Sequence, residues 1–167
     1  MKAKLIVEGR EFDIEINDPE LEKLVKPPKK TGYERVARGS EYFYTSSDAS
    51  VNSIEDDRDA SSNDDYDAAD YYSDHTVAEN NARADKLMRQ LRRFAVKHRE
   101  NELDWEPSIC KYRIQYNWKL ERLEVDSNNM WQICGVIYFD SSKTANLAIE
   151  TFRDELTWYF TEYEDSL

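Results

Sequence analysis

The sequence predicts an α+β protein: an N-terminal β-hairpin arm with a short helix, then two related antiparallel sheet-plus-helix units of βββα type. Three observations carry this. Residues 4–16 alternate apolar and polar side chains around a Glu-Gly turn signal. Aromatic, alternating segments beginning at Glu41 and Lys111 each lead into a stripe of helical spacing. The aromatic pairs Tyr71-Tyr72 and Tyr138-Phe139 are both followed by five residues and an alanine, Ala78 and Ala145. Two such matches in the same order read as a duplicated unit.

In the arm, Leu5 and Val7 share one face, and Phe12, Ile14 and Ile16 another. Next, "NDPELEKLV" carries a cap residue (Asn17 or Asp18), Pro19 at a first helical position, and the stripe Leu21, Leu24, Val25. "KPPKKTG" reads as a stiff linker, because two prolines cannot sit in a helix interior. The expected division is residues 1–30 for hairpin, helix and linker, 41–100 for the first unit, and 108–160 for the second.

The second unit is the easier to read. Tyr112, Ile114, Tyr116 and Trp118 alternate on one face, and Leu123 and Val125 on the returning strand. "WQICGVIYF" is apolar on both faces, as a central strand is. Ala145, Ala148, Ile149, Phe152 and Leu156 then recur at helical spacing. In the first unit, Thr76 and Glu79 suggest a capping box, and Ala84, Leu87, Met88, Leu91, Phe94 and Ala95 a buried stripe. Setting Tyr42 on Tyr112 sets Asp56 on Asp126.

Composition limits function. The net charge of −12 argues against general affinity for phosphate backbones or anionic membranes and suits cationic partners. Aromatic residues, at 13%, supply large areas for a core. Cys110 and Cys134 stand alone, without the spacing of a zinc ribbon or disulfide framework, and read as reduced cysteines in or near a core. No apolar run has the length of a membrane span and no signal peptide opens the chain, so a cytoplasmic setting is expected. The four glycines are scattered and form no phosphate loop. His75 and His98 sit beside helix ends with no nucleophile or ligand set at recognisable spacing. No cofactor, metal site or catalytic residue is expected.

Charge is segregated. Residues 55–74 hold nine carboxylates against one arginine, whereas Arg83 to Arg99 holds seven cations against Asp85 alone. Three readings of the acidic stretch compete. A calcium loop needs a glycine at its sharp turn, and "DDRDASSNDD" has none. A metal-dependent hydrolase needs carboxylates held rigidly, which a loop does not promise. The third is mimicry of nucleic acid, with Asp56, Asp57, Asp59, Asp64, Asp65, Asp67, Asp70 and Asp74 offered to a basic groove and Tyr66 as a rigid anchor. A solvated acidic loop, kept mobile by self-repulsion, is the plainer alternative. The basic helix has its own two readings. One is a solvated face paired with the acidic stretch. The other is a nucleic-acid contact through Arg83, Lys86, Arg89, Arg92, Arg93 and Lys97.

The order "EYFYT", "YYSDHTVAE", "LRRFAVKHRENELDW", "KYRIQYNWKLERLEVD", "IYFDSSKTA" resembles a family of small accessory proteins of phages and mobile elements of Gram-positive bacteria. The resemblance covers Glu41 to about Phe160. The first unit departs from it, with Asp and Ser where the family has Asn, Tyr and Gly at a tight turn. The resemblance implies a phage-encoded protein in the bacterial cytoplasm, of a kind that often inhibits host defence. The expectation is a non-enzymatic inhibitor, anti-CRISPR in type, whose partner is a nucleic-acid-handling host protein such as a CRISPR effector nuclease.

Overall fold

A computed structural model describes residues 2–7, 10–15 and 30–163, and the chain divides into two units, 1–31 and 32–167. In the first unit, β1 (Lys2–Val7) pairs antiparallel with β2 (Arg10–Glu15), Lys2 opposite Glu15 and Val7 opposite Arg10. This is the hairpin that the alternation predicts. The short helix expected over "NDPELEKLV" and most of the "KPPKKTG" linker lie outside the described residues.

The second unit is built twice from one plan. β3 (Glu41–Thr45) and β4 (Val51–Glu55) form a hairpin, followed by α1 (Ala60–Asp67) and the long α2 (His75–His98). β5 (Lys111–Asn117) and β6 (Arg122–Asn128) form the next hairpin, followed by α3 (Ser142–Thr151) and α4 (Arg153–Thr161). The third strand expected in each half is reduced to one residue. Tyr72 exchanges two backbone hydrogen bonds with Phe43, both 2.9 Å, and Phe139 does the same with Tyr112, at 3.0 and 2.7 Å.

The halves match closely beyond that point. Each bridge residue is followed two positions later by a helix N-cap, Asp74 or Ser141, and six positions later by a fully buried alanine, Ala78 or Ala145. The register differs by one residue from the sequence expectation. Phe43, opposite Ser53, is equivalent to Tyr112, opposite Ser127, so Tyr42 matches Lys111 and Asp56 does not fall on Asp126.

Three further corrections follow. The segment Trp131–Val136 is not a central strand: Ile133 and Val136 close a turn, and Trp131 and Ile133 are exposed. The N-cap of α2 is Asp74, whose carboxylate accepts from Thr76 N and Val77 N at 2.8 and 3.1 Å, so no Thr76–Glu79 capping box forms. The C-terminal helix breaks at Phe152, which leaves helical geometry at φ −118° and ψ 24°.

The core lies where α2, α3 and α4 meet the inner face of β5 and β6. Leu87, Leu91 and Ala95 of α2 pack with Phe139, Ala145, Ala148, Ile149 and Leu156. Tyr112, Ile114, Leu123 and Val125 close it from the sheet, on the face that their alternation assigns. Arg83 fastens α2 to α4. Its guanidinium donates to both carboxylate oxygens of Glu155 at 2.8 and 3.1 Å and lies 3.8 Å from the Trp158 ring centre.

Candidate functional site

The acidic stretch is a folded element rather than a loop. At its centre is Asp56, at 0% exposure. The Arg35 Nε and Arg58 Nη1 groups lie 3.1 and 2.9 Å from its Oδ2, and the Tyr71 hydroxyl donates to the same oxygen at 2.9 Å. The Arg58 amide donates to Oδ1 at 2.9 Å. Burial alone would raise the Asp56 pKa. Hydrogen bonds from Tyr71 and Ser62 and the charge of Arg35 outweigh it and hold the carboxyl below its usual range. Arg35 also donates to Asn63 at 2.6 Å and sits 4.9 Å from the Tyr66 ring centre, which ties α1 to the segment before β3.

Four other acids of the stretch hold the fold. Asp59 caps α1 by accepting from Ser62 N at 2.8 Å, and Asp74 caps α2. Asp65 accepts from the buried Tyr42 hydroxyl at 2.6 Å, and Asp70 accepts from both Thr45 N and Thr45 Oγ1 at 2.9 and 2.7 Å. Asp56 is therefore corrected from a partner-facing residue to a buried one, satisfied by the protein's own arginines. Asp59, Asp65, Asp70 and Asp74 carry structural bonds of their own. Glu55, Asp57, Asp64 and Asp67 are exposed and form no ion pair among the described residues, and Tyr66 is 40% exposed. These last five form the outward part of the predicted acidic surface.

The basic helix has the opposite character. Arg83 is engaged by Glu155 and Trp158, so it leaves the candidate set. Lys86, Arg89, Arg92, Arg93 and Lys97 are exposed, and among the described residues no carboxylate approaches any of them within 4.0 Å. Lys86, Arg89, Arg93 and Lys97 follow helical spacing and share one face of α2. Three of them line a polar cleft of about 320 Å³ with Gln90, Ser47 and Asp48, beneath the β3–β4 turn. Asp48 is the acid of that cleft. Its carboxylate accepts from Ser50 N and Ser50 Oγ at 3.0 and 2.8 Å, which together with the Lys86 charge hold its pKa low.

The expectation of cysteines in or near a core is corrected, since both are free and exposed. His98 stacks on Phe94 at 4.2 Å, and His75 lies 3.4 Å from Glu79. Among the described residues no three His, Cys, Asp or Glu side chains converge as a metal site would require, and no helix is long and apolar enough to cross a membrane. The feature that sequence reasoning missed is the set Arg35, Asp56, Arg58, Tyr71, in which the carboxylate and the phenol are buried and both arginines are partly exposed. Its one visible signal is that Arg58 is the lone cation inside nine acids. Compared with protein-family models, curated proteins and solved structures, the chain finds no match.

Proposed function

We propose that this chain is a non-enzymatic binding protein whose contact surface is the cationic face of α2, and that its partner is a nucleic-acid phosphate backbone. The observation that carries this reading is the row Lys86, Arg89, Arg93 and Lys97, exposed and without a carboxylate partner among the described residues. A chain of net charge −12 has acids in excess, yet among the described residues no carboxylate forms an ion pair with this row. At ionic strengths of about 0.15 M, charges farther than roughly 8 Å from a contact are largely screened. The local row then outweighs the net charge. The resemblance supplies the setting, a phage-type accessory protein in the bacterial cytoplasm.

A second reading keeps the anti-defence inhibitor, which acts by nucleic-acid mimicry on a basic host surface such as the groove of a CRISPR effector nuclease. What favours it is that Glu55, Asp57, Asp64 and Asp67 are exposed on a folded frame and form no ion pair among the described residues. One comparison separates the two. Anisotropy of labelled single-stranded and duplex oligonucleotides is measured with the wild type, with Lys86→Gln/Arg89→Gln/Arg93→Gln, and with Asp57→Asn/Asp64→Asn/Asp67→Asn. Binding that the first variant loses and the second retains supports the leading reading. Absence of wild-type binding at physiological salt defeats it, and capture of a basic nuclease that only the second variant loses puts the mimic in its place.

A further inference from the structure

The two halves close their sheets differently. In the first, the position next to the Phe43–Tyr72 bridge is Thr45, and the Asp70 carboxylate takes its amide. The equivalent residue in the second half is Ile114. Because the Tyr112 amide points to Phe139, alternation turns the amides and carbonyls of Ile114 and Tyr116 away from β6 as well. Among the described residues, no backbone hydrogen bond reaches Ile114 or Tyr116 on that side. The chain that would continue from Phe139 turns off instead at Ile133–Val136.

Beside this open edge runs a groove of about 430 Å³, walled by Met88, Ile114, Val136, Ile137, Tyr159 and Phe160. No charged residue lines it, in a chain of which 35% is charged. An edge of free amides and carbonyls is matched by another strand, and an uncharged wall by uncharged side chains at alternate positions. A second copy is a poor match. Each copy carries −12, so two copies repel, whereas an uncharged strand does not.

We infer that the β5 edge is a strand-addition site for an extended peptide of a partner protein, uncharged and apolar at alternate residues. The partner strand exchanges backbone hydrogen bonds with Ile114 and Tyr116, and its inward side chains enter the groove. This site is independent of the α2 cations.

The test starts from a displayed random heptapeptide library panned against the full-length protein. Selected peptides carry alternating apolar residues. In hydrogen exchange, a selected peptide slows the Ile114 and Tyr116 amides. N-methylation of its two edge-facing amides weakens binding by roughly tenfold, since two backbone bonds are lost. The proposal is overturned by selection of charged peptides or of none, by binding that N-methylation leaves unchanged, or by Ile114 and Tyr116 amides already slow in the free protein. Slow exchange that tracks protein concentration, with a doubled mass in light scattering, assigns the edge to self-association and overturns it too.

Discussion

The Tyr71 hydroxyl donates to Asp56 Oδ2 at 2.9 Å, and the Val36 amide donates to the Tyr71 oxygen at 3.1 Å. One phenol thus couples a buried carboxylate to the segment that carries Arg35. Removing the Asp56 carboxylate leaves two partly exposed guanidiniums and a buried phenol without their partner. Asp56→Ala is expected to lose about 2 kcal/mol in urea unfolding, less than a fully buried pair because solvent screens the arginines. Tyr71→Phe, which deletes the hydrogen bond to the Asp56 charge and the acceptor of the Val36 amide, is expected to lose roughly 2 kcal/mol. Equal stability of Asp56→Ala and wild type would mean that the set does not hold α1.

Stability should fall at both pH extremes for separate reasons. The folded pKa values of Asp56 and Asp140 are depressed, each against burial that would raise it; for Asp140 the Glu100 and Asn101 amides outweigh that burial. Their contribution is present above the ordinary carboxylate value of about 4 and lost as pH drops through the folded values. Burial, then the hydrogen bond to Asp65, raises the Tyr42 pKa, and burial raises Tyr71 to about 12. That contribution is whole below about pH 10 and lost as pH climbs through the folded value. Urea midpoints across pH check both limbs, and Asp56→Asn should flatten the acid one.

Two backbone positions give opposite signs. Gly32 has φ +88°, and a Cβ there would meet Val77 Cγ2 at 2.6 Å. Gly32→Ala is expected to cost about 2 kcal/mol. Ala69 follows α1 at φ +58°, a conformation that suits glycine, while the Asp70 amide bonds back to Asp65 O at 3.0 Å. Ala69→Gly is expected to gain about 0.5 kcal/mol. Thermal midpoints should therefore move apart.

Arg83 bonds Glu155 at a largely exposed site, so solvent screens the pair and its worth is small. Stacking over Trp158, which is buried, adds about 0.5–1 kcal/mol. Arg83→Ala should lower stability by roughly 1 kcal/mol and shift tryptophan emission, while Arg83→Lys restores little because it lacks the planar fork. An unchanged emission spectrum would speak against the contact.

Salt dependence reports how many cations of α2 meet phosphate. If Lys86, Arg89, Arg93 and Lys97 all do, log K against log salt for a duplex falls with a slope of about −3.6. Each Gln substitution should flatten it by about 1. A slope near zero would remove phosphate contact from the proposed function.

Duplication was legible because hydrophobic period survives in both halves: the Ala84-to-Ala95 stripe, the Tyr112–Ile114 alternation and the two spaced alanines are all core. The one-residue slip was not legible, because Tyr42 and Phe43 are both aromatic and either fits the pattern. "WQICGVIYF" misled because an apolar run serves a strand or the wall of a groove equally well. The acidic stretch misled most. "ASSNDDYD" has almost no apolar face, so α1 rests on a capping Asp59 and on Arg35 reaching in from outside the stretch, a contact that no local window contains.

In both halves the cap follows the Phe43–Tyr72 or Tyr112–Phe139 tie at one fixed spacing, which sets the azimuth of the helix as a key sets a shaft. One residue inserted between tie and cap would turn the helix by about 100° and swing Ala78 or Ala145 out toward water. Length at these two short joints is therefore constrained more tightly than amino-acid identity.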